Sequence, residues 1–515
     1  MKRNLLFVIV LFACALSFGQ GEIDAYRYSS SDLSGTARGQ AMGGAFGALG
    51  GDVTGVAINP AGIGIYRSSE VVANMSLTSP LIQGATNRES GTTFSFDNLS
   101  YISYYPLVKG SMLSLNFGFN YNRIKSFDQR YSASRSTMNS SLTDYIVQLT
   151  NGISHSTWDS NNDLYNNSGL PWLSILGWQG YLINPLSGTN DAYTTYPILL
   201  PGEQVSPSLM VSEKGKVESY DFTIGSNISN RFYWGATLSI TELSYEMSST
   251  YDEQFLEVKG SGFSLNNYLQ TKGSGIQMKA GVIFRPTDVL RLGISYHSPV
   301  WYTMTDYYGA QVTPRGIYDD NGALATKVST PSDAYGSYNF RTPGSWTFSA
   351  AAILGAQAIL SLDYENTDYS AMNLKDSNGN DWKDANNKIN DDYKNTSMVR
   401  AGFEFRFTPQ FSGRVGYAWA QNPYRQNITA LGEDVATAGT IPHYVLSNSA
   451  NYITAGFGFR FTPQFYGDFA LVLRTQNDDL YYFQPVKGDG IAADSFQGTY
   501  TNKTLKGLVT LGYRF

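Results

Sequence analysis

Cysteine is almost missing from this chain: a single residue, Cys14, among 515. It lies in an apolar run from Leu5 to Phe18 that follows Lys2-Arg3 and ends at Gly19-Gln20. That pattern is a secretory signal peptide, which places the mature N-terminus at Gln20. Bulky Phe12 before Cys14, and apolar residues after it, argue against lipidation at this cysteine. A mature chain without cysteine has no disulfide, no thiolate zinc site and no thiol nucleophile. Histidine is nearly as scarce, and His155, His297 and His443 show no metal-ligand spacing. After residue 20 no stretch of 18 apolar residues occurs, which excludes a spanning helix, since one needs about 20. Basic clusters are absent as well. With Lys2 and Arg3 removed, the 36 basic residues become 34 against 42 acidic ones, a formal charge of −8, so nucleic acid is not an expected partner.

What the chain does have is tyrosine, 37 residues, and glycine, 51, with aromatics at 14%. Apolar residues diluted by strict alternation with polar ones suit a transmembrane β-barrel, with a soluble periplasmic β-protein as the alternative. The alternation is plain where Leu113, Leu115, Phe117, Phe119 and Tyr121 are interleaved with Ser114, Asn116, Gly118, Asn120 and Asn122. Phe232 to Ile240 and Leu290 to Tyr296 show the same period of two. Read by parity, Asn116, Asn120, Lys279, Arg291, Glu404, Arg406, Asp468 and Arg474 point into the lumen, and their neighbours face lipid. On this register Phe117→Arg should block assembly, whereas replacement of Asn116 should be tolerated.

A short repeat supplies the turns. Ala401-Gly-Phe-Glu-Phe-Arg-Phe-Thr-Pro-Gln-Phe411 returns as Ala455-Gly-Phe-Gly-Phe-Arg-Phe-Thr-Pro-Gln-Phe465. Proline cannot donate to a ladder, so Pro409 and Pro463 mark tight turns between strands, and Arg285-Pro286-Thr287-Asp288 is a third. Fourteen alternating segments are expected, at 69–79, 94–105, 111–123, 216–227, 231–246, 272–285, 289–300, 344–354, 356–366, 394–407, 411–420, 451–461, 465–475 and 503–515. Short turns would face the periplasm, and long loops, near 160, 320, 380, 430 and 490, the outside. The last strand carries Val509, Leu511, Tyr513 and Phe515 on one parity. A strand closing on Phe resembles the signal read by the barrel-assembly machinery.

Before the first strand lies Ser34-Gly-Thr-Ala-Arg38-Gly-Gln-Ala-Met-Gly-Gly-Ala-Phe-Gly-Ala-Leu-Gly-Gly-Asp52, then Val56-Ala-Ile-Asn59-Pro60-Ala61-Gly62. Together with Arg291-Leu-Gly-Ile-Ser-Tyr-His-Ser-Pro299 and Arg341-Thr-Pro-Gly-Ser-Trp346, this segment resembles the FadL-type long-chain fatty acid and aromatic hydrocarbon transporters. The resemblance implies a fourteen-stranded barrel plugged by an N-terminal hatch. The implied organisation is a signal peptide at 1–19, a hatch at 20–68 and a barrel at 69–515, with Arg38, Asn59, Pro60, Ala61 and Gly62 as hatch and gate residues. The small residues around Asn59-Pro60 offer little apolar area, so a weak hold on the wall is expected.

Other chemistries fit less well. The glycines at 44, 47 and 50 lack the strand-turn-helix frame of a nucleotide loop. His297 has Ser295 and Ser298 nearby, but adjacent strand residues face opposite ways, which speaks against a hydrolase pair. Asp376-Ser-Asn378-Gly-Asn380-Asp381 has carboxylates suited to calcium but misplaces its glycine, so a solvated loop is the better reading. The loop from Ile124 to Lys214 carries a capping-box pattern at Ser141-Leu-Thr-Asp144 that opens a helix with Leu142, Tyr145, Ile146 and Leu149 on one face. Leu170-Pro-Trp172-Leu-Ser-Ile-Leu176-Gly-Trp178 follows it. In the resembled family outward loops form an apolar capture groove; here Trp172, Leu176 and Trp178 either line such a groove or pack the loop over the mouth. No catalytic residue, cofactor or metal is expected. The reading is an outer-membrane channel for passive uptake of a hydrophobic small molecule by a single chain, with Lys279 or Arg291 as the lumenal cation for a carboxylate head. The alternatives are an adhesive barrel with binding loops, or a haem receptor using His297.

Overall fold

The computed structural model describes residues 21–81, 91–108, 110–158, 163–166, 170–185, 193–355, 357–425, 435, 437, 439–485 and 495–515. The leader with Cys14, the cleavage point before Gln20, and the expected loop tips near 160, 430 and 490 lie outside them.

The wall has fourteen antiparallel strands. They are β1 Glu70–Leu81, β2 Thr93–Pro106, β3 Met112–Ser126, β4 Val205–Ile228, β5 Phe232–Phe255 and β6 Gly262–Phe284. Two strands are interrupted at prolines: β7 runs as Leu290–His297 and Trp301–Arg315, and β8 as Tyr335–Arg341 and Ser345–Leu354. The rest are β9 Ala358–Asp368, β10 Asn395–Arg406, β11 Phe411–Ala420, β12 Tyr444–Arg460, β13 Phe465–Tyr481 and β14 Phe496–Arg514. Each pairs with its chain neighbour, and β14 pairs with β1 from Glu70↔Arg514 to Leu81↔Lys503, which closes the barrel. Backbone bonds between Ser69 and Phe515 finish the seam at the short-turn end. A closed wall leaves no free edge to aggregate. All fourteen expected segments are therefore strands, and Thr408-Pro409-Gln410 and Thr462-Pro463-Gln464 are tight turns. The hydroxyl oxygens of Thr408 and Thr462 accept the N–H of Phe411 and Phe465, at 3.0 and 2.9 Å.

Several strands run far beyond their expected ends. β4, β5 and β6 have 24, 24 and 23 residues, where about 10 tilted residues cross a bilayer. Along β5 the outward side chains are Phe232, Trp234, Ala236, Leu238 and Ile240, then Glu242, Ser244, Glu246 and Ser248. The inward ones change the other way, from Thr237, Ser239 and Thr241 to Leu243, Tyr245, Met247 and Tyr251. β6 inverts likewise, with Ile276, Met278 and Phe284 outward near the short turns and Phe263, Leu265 and Leu269 buried inside at the other end. The wall is thus a membrane barrel in one half and a soluble barrel with an apolar core in the other. That core continues into the long loop, whose ends are themselves strands: Gln129–Ser134 lies along β4, which starts at Val205, ahead of Lys214. Within the loop, helix Leu142–Thr150 has the expected capping box at Ser141 and Asp144 and buries Leu142, Tyr145 and Ile146.

Candidate functional site

Residues 21–66 form helices Glu22–Ser29, Ala37–Ala41 and Val53–Ile58 and a 3-10 turn Pro60–Ile65. Thr36 and Asp52 cap the second and third through their side chains. The segment touches the wall on every side. Ala37 N–H donates to Thr510 on β14 at 2.7 Å, Gly43 N–H to Thr454 on β12 at 3.1 Å, and Phe46 and Gly47 N–H to the Asp363 carboxylate on β9 at 3.0 and 2.9 Å. Asn116 on β3 donates to Ile63 O at 2.7 Å, and Ser295 on β7 to Ile58 O at 2.8 Å. Only a segment inside the closed wall can reach β3, β7, β9, β12 and β14 at once.

Arg38 makes the strongest of these contacts. Its guanidinium holds Glu404 on β10 with two bonds, at 2.9 and 3.1 Å, and Arg414 ties the same carboxylate to Asp468 on β13. Four alternating charges, three of them buried and Arg38 partly so, satisfy one another, which is how charged groups tolerate burial.

Asn59-Pro60-Ala61-Gly62 is buried, and hydrogen bonds and close backbone packing add to the small apolar area it offers. Asn59 Nδ2 donates to Gly47 O at 2.8 Å and to Val282 O on β6 at 3.2 Å, while Oδ1 accepts Ala61 N–H at 3.1 Å. The turn sits against wall glycines that let the two backbones meet. A methyl group at Gly281 would lie 2.0 Å from Asn59 Oδ1, and one at Gly235 2.2 Å from Pro60 O. Sequence composition shows small residues but not the nest that receives them.

Above the segment, on the long-loop side, a cavity of about 300 Å3 opens into the lumen. Its lining mixes apolar and aromatic side chains, Tyr26, Phe127, Tyr131, Tyr424 and Val472, with Arg123, Lys125, Arg474 and Lys506 and with Asp32 and Asp97; Lys125 lies over the Phe127 ring at 5.3 Å, and Lys506 stands opposite Val472. Lys506 pairs with Asp97 at 2.8 Å, Arg474 lies 3.6 Å from Asp32, and Lys125 Nζ donates to Arg27 O at 2.8 Å. Such a lining accommodates a hydrocarbon and a polar head side by side.

The parity reading holds: Asn116, Asn120, Lys279, Glu404 and Asp468 are buried inside, Arg291 and Arg474 are partly buried, and Arg406 emerges exposed at the rim. The assignment of lumenal cations needs correction. Neither Lys279 nor Arg291 lines the cavity. Lys279 pairs with Asp221 at 3.3 Å, and Arg291 donates to Leu49 O of the inner segment. The lining cations are Arg27, Arg123, Lys125, Arg474 and Lys506; only Arg474 was legible by parity, because Arg123 and Lys125 flank a bulge that shifts the period between them. Nor does Asn116 meet open lumen, so its replacement should not be tolerated as expected.

Of the loop residues, Leu176 is fully buried in the outer core. Trp178 stacks on Trp158 at 5.8 Å and Trp172 meets Tyr308 at 5.2 Å with the rings tilted by 51°, so this cluster packs the loop over the mouth. Ser295 and His297 are two apart and share the inward face, contrary to the opposite facing expected, but Ser295 Oγ and His297 Nε2 both meet Ile58 O, which makes them ties for the inner segment rather than a hydrolase pair. Asp376 Oδ1 accepts the N–H groups of Asn378 and Asn380, each at 2.8 Å, as a solvated turn does.

No curated protein matches the chain in sequence. Among solved structures, a Pseudomonas aeruginosa FadL homologue superposes with a TM-score of 0.52 at 13% identity, over 94% of this chain and 99% of that one. The Pseudomonas putida toluene transporter TodX gives 0.49 at 12% identity over 94% and 99%, and the Ralstonia pickettii toluene transporter TbuX 0.47 at 12% over 93% and 98%. A family profile described as outer membrane protein transport protein (OMPP1/FadL/TodX) matches residues 216–515, more than half of the chain. A closed fourteen-stranded wall with a helical segment inside it and a family match over its larger part lead to one statement: this chain belongs to the OMPP1/FadL/TodX family of outer-membrane transport channels for hydrophobic substrates.

Proposed function

We propose that the chain is a passive uptake channel for an amphiphilic hydrophobic molecule, of which a long-chain fatty acid is the best-fitting class, and that residues 20–68 are its hatch. The observation that carries this reading is the cavity directly above the segment, whose lining interleaves aromatic rings with cations. An aromatic hydrocarbon would use the rings and leave the cations without purpose. Burial of a tail contributes about 25 cal/mol per Å2, and Arg123, Lys125 or Arg474 would receive the head. No energy source is required, since flow follows the gradient.

Gating follows from the position of the segment. Opening must exchange the bonds of Ala37, Gly43, Phe46 and Asn59 to the wall, and a ligand drives that exchange only as far as it binds the open state more tightly. Deleting residues 21–60 should leave a heat-modifiable barrel that takes up oleate constitutively or leaks small polar solutes. Unchanged fluxes in an assembled barrel would overturn the gate and favour an adhesive role for the loops.

A further inference from the structure

The short-turn rim carries a charge pattern that the transport reading does not use. Four descending strands end in an aromatic residue followed by arginine: Phe284-Arg285, Phe405-Arg406, Phe459-Arg460 and Tyr513-Arg514. All four arginines follow an outward aromatic and so have lumen parity. Arg67, Arg231 and Arg291 add to the same rim. Against these seven stand two carboxylates among the described residues of the rim, Glu70 paired with Arg514 and Asp288 with Arg285, each at 2.7 Å. This excess sits at one end of a chain whose net formal charge is −6.

Two further observations point to an anionic ligand. Arg406 and Arg460 are exposed and have no carboxylate partner among the described residues. The Nε groups of Arg285 and Arg291 are buried without an acceptor among the described residues, and an unpaired guanidinium donor is costly unless an anion or water completes it. The charges also converge. Arg460 lies within the fields of Arg406, Arg514 and Arg38, and Arg291 within those of Arg285, Arg67 and Arg38. Arg38 belongs to the inner segment, where Glu404 and Asp468 balance it and Arg414, so the uncompensated charge is confined to the rim.

We propose that this arginine rim is an oxyanion site that holds the carboxylate or phosphate head of an amphiphile at the short-turn mouth of the barrel. Guanidinium forks bind planar and tetrahedral oxyanions in bidentate fashion, and clustered cations raise the local anion concentration severalfold or more. The exposed rings of Phe407, Phe461 and Phe515 beside the rim offer apolar surface for a tail. Two sources supply such a head: cargo leaving the lumen, which rests on the channel reading, and a phospholipid of the adjoining leaflet, which does not.

The test uses the full-length protein in phosphatidylcholine vesicles. A nitroxide on Gln410→Cys, whose carbonyl accepts the Arg460 N–H at 2.9 Å, marks the rim and broadens the signal of carboxyl-13C oleate bound there. The double variant R406Q/R460Q should raise the oleate concentration for half-broadening about tenfold. Oleyl alcohol should show no rim localisation in either protein. Native mass spectrometry of both proteins after exposure to phosphatidylglycerol addresses the second source. Loss of oleate at the rim assigns the site to cargo, and loss of retained phosphatidylglycerol assigns it to leaflet lipid; either upholds the oxyanion site. Equal oleate broadening and equal lipid retention in the two proteins overturn it. Oleyl alcohol flux, which the rim charges should not alter, reports separately on the channel reading.

Discussion

The two halves of the barrel solve opposite problems with the same strands. Near the short turns, the outward face of β5 is apolar because hydrocarbon surrounds it, and the inward face is small and polar, packing at Gly235 against Pro60 of the inner segment and bonding along the wall from Thr237 to Thr223. Ten residues later water lies outside, and the apolar side chains turn inward to build a core of Tyr245, Met247, Tyr251 and Phe263. One pleated backbone serves both, because its two faces are independent: exchanging the polarity of the faces leaves the ladder untouched. The position of the exchange, between Ile240 and Glu242, marks the outer edge of the membrane on this strand.

This contrast can be broken from either side. Met247→Ala removes an almost fully buried side chain from the outer core and should cost about 2–5 kcal/mol, seen as raised hydrogen exchange in the outer half. Ser239→Ala in the membrane half, where the hydroxyl has no partner among the described residues, should change stability by less than about 0.5 kcal/mol. An equal cost at both sites would mean that the inner faces are alike. On the outward faces the ranking reverses. Phe117→Arg should destabilise the barrel by about 2–4 kcal/mol or block its assembly, while Ser248→Arg, seven residues into the polar stretch, should be silent within about 0.5 kcal/mol. Heat-modifiable migration in gels distinguishes the two.

Smaller effects sharpen the picture at the loop. Ser141→Ala removes the cap of helix Leu142–Thr150 and its bond to Glu253, for about 1 kcal/mol, read as increased exchange confined to that helix. The last prediction concerns pH. Glu253, in the outer half of β5, accepts the N–H of Leu142 at 3.0 Å, and burial raises its carboxyl to about 7 from an ordinary 4.5. The bonds from Ser141, Tyr251 and Leu142 oppose that rise, and Asp144 adds to it. Because the folded value lies above the ordinary one, the folded state binds this proton more tightly than the unfolded chain does. The packing is therefore strongest below about pH 4.5 and weakens as pH rises toward 7. Exchange protection of residues 142–150 should fall over that window, and Glu253→Gln should flatten the profile.

The membrane half was legible because hydrocarbon demands unbroken alternation of one sign. Strand count, turns and the inward parity of Glu404 and Asp468 all follow from that single demand. The outer half was not, although β4, β5 and β6 alternate there as well. A strand whose sign inverts midway reads as a strand that has ended, so alternation alone places residues 205–214 and 262–271 in loops where the structure has strand. At the site, the small residues of the inner segment were visible, while the glycines that receive them at 235 and 281 are scattered along the wall. The cavity cations come from helix Glu22–Ser29 and from β3, β13 and β14, and no local spacing links them.

The seam between β14 and β1 sets an order of events. The strand Phe496–Arg514 follows the other thirteen in the chain, yet it must pair with Glu70–Leu81, the earliest of them. Until it does, the sheet is an open sheet with two unsatisfied edges. The segment at 21–66 precedes all fourteen strands and bonds to members spread around the whole circumference. Packed side chains of the long loop already occupy the far mouth, so late threading from that side is obstructed. The inner segment is most simply enclosed as the sheet curls around it, serving as the mandrel on which the wall is wound before the last strand locks the first.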